Sequence, residues 1–202
     1  MNFKKLNFII LLFFILSCKN PYLFNPVFNP SMPELNSLPI KESDVAWMQP
    51  FGNVDYGTKT AYHSGFDFGM KTAITPFYSC GDGVVSEVNY NTGEGLPGTN
   101  YRIVIQVSAR VFLDYHFEIG GSVSEEQRKQ NIFVKQGDYI KAGTKIANLI
   151  SLVDYAHVDF GIKLDESRNQ CPLIFFSKDT ASKLENLFDS VEKRPVRDNL
   201  CE

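Results

Sequence analysis

The sequence predicts a mainly β protein, with an antiparallel sheet core, a short helical insertion and a C-terminal helix. Three observations predict it. Short β-branched or alternating runs recur along the body of the chain, each closed by glycine or a polar turn. Val134, Gly137, Ile140, Gly143 and Ile146 step by three through two glycine turns. Leu184, Leu187, Phe188 and Val191 fall at helical spacing in the tail. With 202 residues and a hydrophobic fraction of 44%, the chain suffices for one ordinary domain plus appendages. Its net charge of -3 gives no support for nucleic-acid binding.

The first residues read as a targeting segment. Met1 to Lys5 is short and basic, and Leu6 to Leu16 is apolar but short for a transmembrane helix. Ile15-Leu16-Ser17-Cys18 resembles a bacterial lipobox of the relaxed kind found in spirochaetes. That resemblance implies a signal peptide over residues 1–17, lipid on Cys18, and a membrane attachment. The other reading is an ordinary secretory signal with an incidental cysteine. Lys19 follows the cysteine instead of an Asp, which points to the outer membrane, facing the periplasm or the surface. Residues 18–45 form a tether rich in Asn-Pro steps, which disfavour helix and central strand.

The body covers residues 46–165. Gly83 to Val88, Tyr101 to Val107 and Val111 to Phe117 read as strands, with a turn-rich loop over 91–98 between the first two. Ser122 to Asn131 reads as an exposed, Ser-capped helical insertion. Tyr155 to Ile162 reads as a strand on which His157 and Asp159, two apart, share a face. Residues 166–202 form a helical extension. The three histidines, His63, His116 and His157, all lie in this body. His63 and Asp67 flank Ser64-Gly65, and an even offset on an extended segment turns both to one face. An imidazole and a carboxylate so placed suit a borderline metal such as zinc. Alone, the pair is equally a surface histidine beside a strand aspartate.

The ordered set of motifs resembles the LytM/M23 family of zinc metallopeptidases that cut peptidoglycan cross-links. It runs from Phe51-Gly52, through His63-Ser-Gly-Phe-Asp67, Thr75-Pro76 to Val85, Tyr115-His116-Phe117 and the Val134 to Ile146 hairpin, to His157-Val158-Asp159-Phe160. The resemblance implies a barrel-sandwich-like sheet core. It also implies a metal held by His63, Asp67 and the residue at 159, catalytic roles for His116 and His157, and peptidoglycan peptides as substrate. At 159 the family has histidine and this chain has Asp. Aspartate ligates zinc, but its added charge leaves the ion less positive and favours harder divalent metals. On that count, Asp159→His is expected to raise activity.

Two other readings stand beside this one. A degenerate member of the family would bind cell-wall peptide, or regulate another cell-wall hydrolase, without catalysis; His157 and Asp159 also read as a hydrogen-bonded pair with no metal. A lipoyl- or biotinyl-type carrier shares the glycine hairpin but needs a lysine tripeptide that the sequence lacks. Of the remaining cysteines, Cys171 and Cys201 flank the tail helix, where a bridge would staple it. Cys80 reads as a buried thiol in a core strand, and three thiols leave the choice of bridge open.

Overall fold

A computed structural model describes residues 32–90, 100–195 and 197–201. The expected signal segment 1–17, Cys18, the first part of the tether and the loop over 91–98 lie outside the described residues. The architecture is mainly β, as expected. The strands are β1 (Val45–Gln49), β2 (Gly52–Asp55), β3 (Thr60–His63), β4 (Phe66–Met70), β5 (Ile74–Tyr78) and β6 (Gly83–Asn89). They continue with β7 (Asn100–Gln106), β8 (Val111–Glu118), β9 (Tyr139–Ile140), β10 (Lys145–Ile150), β11 (His157–Leu164) and β12 (Glu192–Lys193). Two α-helices accompany them among the described residues, α1 (Glu125–Gln130) and α2 (Lys178–Ser190).

Eight strands form one sheet in the order β12-β1-β4-β11-β8-β7-β6-β9. Its pairings are antiparallel except for the parallel edge pair β1 and β12. Two hairpin-like pairs, β5 with β10 and β2 with β3, complete the fold. Register decides what each face carries. Met48, Phe68, Val158, Phe117 and Tyr101 lie side by side across five strands, and each is fully buried. Side chains alternate along a strand, so the flanking rungs of the same strands face the other way. The aromatic rung anchors the core, with Tyr101 stacked on Phe117 at 4.5 Å and Phe77 edge-on to Phe117 at 5.6 Å. Burying each such ring stabilises the fold by about 1.5–3 kcal/mol.

The periphery closes over this core. Ser124 caps α1 in a reciprocal capping box with Gln127, as the Ser-rich start of that stretch predicts. Helix α2 buries Leu184, Leu187 and Phe188 and is capped by Ser177, while Val191 ends it half-buried. Cys171 and Cys201 are bridged across 30 residues. The end of the tether is docked against the domain: Leu35 and Ile40 are buried, and Leu35 exchanges backbone hydrogen bonds with Phe175 and Ser177. Cys80 is buried and unbridged, but it lies in the connection between β5 and β6, not in a strand. There its amide donates to the Tyr115 hydroxyl, and that hydroxyl bonds the Tyr78 carbonyl at 3.0 Å. This turn is fixed by a tyrosine from β8, a long-range contact that strand patterning does not reveal.

Candidate metal centre

On the face opposite the aromatic rung, the same register lines up polar side chains. Gln49, Asp67, Asp159, His116 and Arg102 form one rung across β1, β4, β11, β8 and β7. The next rung on that face is Trp47, Gly69, His157, Glu118 and Asn100. Of the five residues the sequence singled out for this site, Asp67, Asp159, His116 and His157 stand on these two adjacent rungs. Gly69 matters because the Trp47 ring lies where its Cβ would be. The indole therefore closes on the sheet and meets the His157 ring at 5.7 Å.

His63 arrives from elsewhere. It ends β3, outside the large sheet, and Ser64-Gly65 bends the chain into β4. The expected single extended segment is therefore two strands, and the pair meets through the bend. His63 Nε2 lies 3.1 Å from Asp67 Oδ1 and 3.9 Å from Asp159 Oδ1. The three donors all lie within 4.8 Å of one another. Atoms each about 2.0–2.1 Å from one tetrahedral ion lie roughly 3.3 Å apart, so the cluster is near that spacing.

The imidazoles are oriented by the backbone. His63 Nδ1 sits 2.8 Å from the Pro50 carbonyl, and His157 Nδ1 sits 2.8 Å from the Tyr155 carbonyl. A carbonyl only accepts, so each Nδ1 carries its proton and each Nε2 points into the cleft. Burial opposes protonation of His63, but the Asp67 hydrogen bond and the charges of Asp67 and Asp159 outweigh it and raise its pKa. His157 is raised in the same way, against burial, by Asp67 and Glu118.

Two residues that the sequence reading missed complete the centre. Glu118 lies 3.4 Å from His116 Nδ1 and 3.6 Å from His157 Nε2. Its hydrogen bond with His116 holds its carboxyl below the usual glutamate range. Strand parity from His116 was the signal for it. Arg168 is the second. Its guanidinium grips both oxygens of Asp159, with one nitrogen 2.9 Å from Oδ2 and the other on Oδ1. Nothing local in the sequence marks it, because it lies beyond β11 and returns through a turn.

The chemistry of the donor set fits a divalent cation. With neutral imidazoles, Asp67, Asp159, Glu118 and Asp114 carry four negative charges and Arg168, Arg102 and Lys163 three positive, leaving a half-buried cleft net negative. Such charge is costly to desolvate without a counter-ion. Asp159 keeps lone pairs that a two-point guanidinium contact does not use. His63 and Asp67 would be the principal ligands, with Asp159 the third. Beyond His116, Asp159 and Arg168, the cleft opens into a polar cavity of about 220 Å³ that Arg102, Asp114 and Lys163 also line.

No protein-family model matches the chain, and no curated protein sequence matches it. Solved structures do. Csd3 of Helicobacter pylori aligns at 20% identity and a TM-score of 0.50, over 78% of this chain and 44% of that one. A zinc containing peptidase from Vibrio cholerae aligns at 21% identity and a TM-score of 0.46, over 67% and 38% respectively. The catalytic domain of the prophage-encoded M23 protein EnpA from Enterococcus faecalis aligns at 19% identity and a TM-score of 0.43, over 68% and 90%. The chain thus spans less than half the length of the first two. At these identities the likeness is one of fold, and the mainly β architecture that the sequence predicts is the one shared with Csd3.

Proposed function

We propose that the chain is an M23-like metallopeptidase of the bacterial cell envelope that acts on peptidoglycan peptide cross-links. One observation carries the reading. His63, Asp67 and Asp159 converge from three strands within 4.8 Å, with His116 and His157 on the same two rungs. Residues 46–165 would form the peptidase domain and 166–202 an extension stapled to it. Residues 1–17 would be the signal peptide and 18–45 the tether, anchored in the outer membrane through lipid on Cys18.

His63, Asp67 and Asp159 would hold a divalent ion, zinc first. Bound there, the ion supplies Lewis acidity toward a peptide carbonyl and its attacking water. The other side chains do the proton work. His157 presents Nε2 to the cleft with its Nδ1 proton tied to Tyr155, which suits it to accept a proton from that water. Glu118 stands between the two catalytic imidazoles and steadies a positive charge that forms on either. His116 stabilises the carbonyl oxygen as it becomes negative. Trp47, against His157 and donating to the Asp154 carbonyl at 3.2 Å, forms an apolar wall beside that imidazole.

The two-point contact of Arg168 on Asp159 favours a second reading, because it engages both oxygens of the third ligand. In that reading the domain binds cell-wall peptide, or another cell-wall hydrolase, without cutting. Digestion of purified peptidoglycan by the full chain, with and without a chelator, separates the two. Chelator-sensitive release of muropeptides is the expected result. Sedimentation with peptidoglycan but no release, with or without added zinc, would overturn the peptidase reading in favour of the second.

A further inference from the structure

Arg168 is built into the cleft, not laid over it. Besides Asp159, it donates from Nε to the Ser64 carbonyl at 3.2 Å, and it lies 3.9 Å from buried Asp114. Its guanidinium occupies the space where Cβ atoms of Gly65 and Gly161 would stand. Any side chain at those two positions would displace it. The chain brings Arg168 there by a tight reversal after β11. Leu164 and Ser167 bond each other across Asp165 and Glu166, both in the left-handed region at φ 50° and 69°. Such backbone is strained for a non-glycine residue. Arg110, ion-paired to Asp165, holds the reversal from the neighbouring turn.

The charge this places at the site is specific. The family pattern that the motifs resemble surrounds the ion with two neutral histidines and one aspartate. Here a second carboxylate, Asp159, stands where one histidine would be. Without Arg168, Asp67 and Asp159 together would cancel the charge of a divalent ion. Counted with Arg168, Asp159 contributes nothing net, and the centre keeps the one positive charge of the family's set.

We infer that Arg168 converts Asp159 into a formally neutral metal donor, so that the Asp159–Arg168 pair together replaces a histidine. This rests on the metal-centre reading and adds a positioning residue to it. Asp159 and Arg168 then act as one unit, and neither side chain is exchangeable alone. Asp159→His by itself would leave a buried guanidinium facing the ion with no carboxylate between them.

The test is a zinc titration of the full chain in detergent, in competition with a chromophoric chelator, with cobalt(II) absorption as a second readout of the ligand set. Wild type, Asp159→His and the double variant Asp159→His/Arg168→Met are compared, with near-ultraviolet circular dichroism as the check on folding. Zinc binding by Asp159→His is expected to be weaker than wild type by tenfold or more, within the about 10–100-fold range of disturbed ligand surroundings. The double variant is expected to bind zinc more tightly than Asp159→His and to lie less than about tenfold below wild type. If Asp159→His fails to fold, the folded double variant decides alone. A folded double variant about tenfold or more weaker than wild type overturns the inference. So does an Asp159→His that binds zinc as tightly as wild type. Wild type that takes up no zinc overturns the metal-centre reading and this inference with it, whereas failure of the variants alone leaves that reading standing.

Discussion

Asp159 and Arg168 form a two-point ion pair, although one stands in the middle of β11 and the other follows the turn that ends that strand. Asp159 lies on the polar face of the sheet, on the same rung as its cross-strand partners His116 and Asp67. A guanidinium in that place changes what substitution at 159 can achieve. On the inference drawn above, Asp159→His, expected from sequence alone to raise activity, needs a second change at 168 to do so.

His63 is the proposed ligand whose loss tests the centre most directly. It is the only imidazole among the three clustered donors, and Pro50 orients it. His63→Ala is expected to lower zinc affinity by more than about 100-fold, beyond what outer-shell changes do, with the fold retained. Equilibrium dialysis against zinc measures it; unchanged zinc content would remove His63 from the ligand set.

Asp114 sets an acid limit to stability. It is buried, and burial alone would raise its pKa. The hydrogen bonds from Arg102 and the charges of Arg168 and Lys163 outweigh burial and lower it. A depressed carboxyl contributes stability above its unfolded pKa and loses it as pH falls through the folded value. Urea unfolding followed downward from pH 6 should therefore show stability declining below the ordinary aspartate range. Asp114→Asn, which removes the buried carboxylate that Arg102 and Lys163 face, is expected to cost about 3–5 kcal/mol at pH 7 and to flatten that decline.

Glu166 adopts φ 69° in the turn that returns Arg168 to the cleft. Glycine takes this conformation without a Cβ clash, although it adds freedom to the unfolded chain. Glu166→Gly should leave stability unchanged or raise it by up to about 1 kcal/mol in urea unfolding. A loss of more than about 1 kcal/mol would mean that the turn is not strained as its backbone implies.

The thiols separate by environment. Burial pushes the Cys80 thiol up to about 12. In native protein at pH 8 it should resist alkylation and react only on unfolding. The Cys171–Cys201 bridge closes a loop of 30 residues, and its reduction should lower stability by about 3–4 kcal/mol. Rapid alkylation of Cys80 in the folded state would contradict its placement beneath Tyr115.

Much of the fold was legible because strands alternate. Parity put His157 with Asp159 on one face and Val158 with Phe160 on the other, and the structure keeps that division. The same rule, applied from His116, reaches Glu118. Parity says which face a residue takes but not which rung it joins.

The sequence by itself determined the class of fold, a Ser-capped helical insertion, the tail helix, and the side chains able to hold a metal, because these follow from local periodicity and residue chemistry. Only the tertiary structure decided that Asp67, Asp159 and His116 share one rung, that His63 enters from a separate pair of strands, and that Cys171 meets Cys201. It alone brought Arg168 back onto Asp159. Each depends on pairing between distant segments, where register is set by packing of the aromatic face and by glycines that leave room for other side chains.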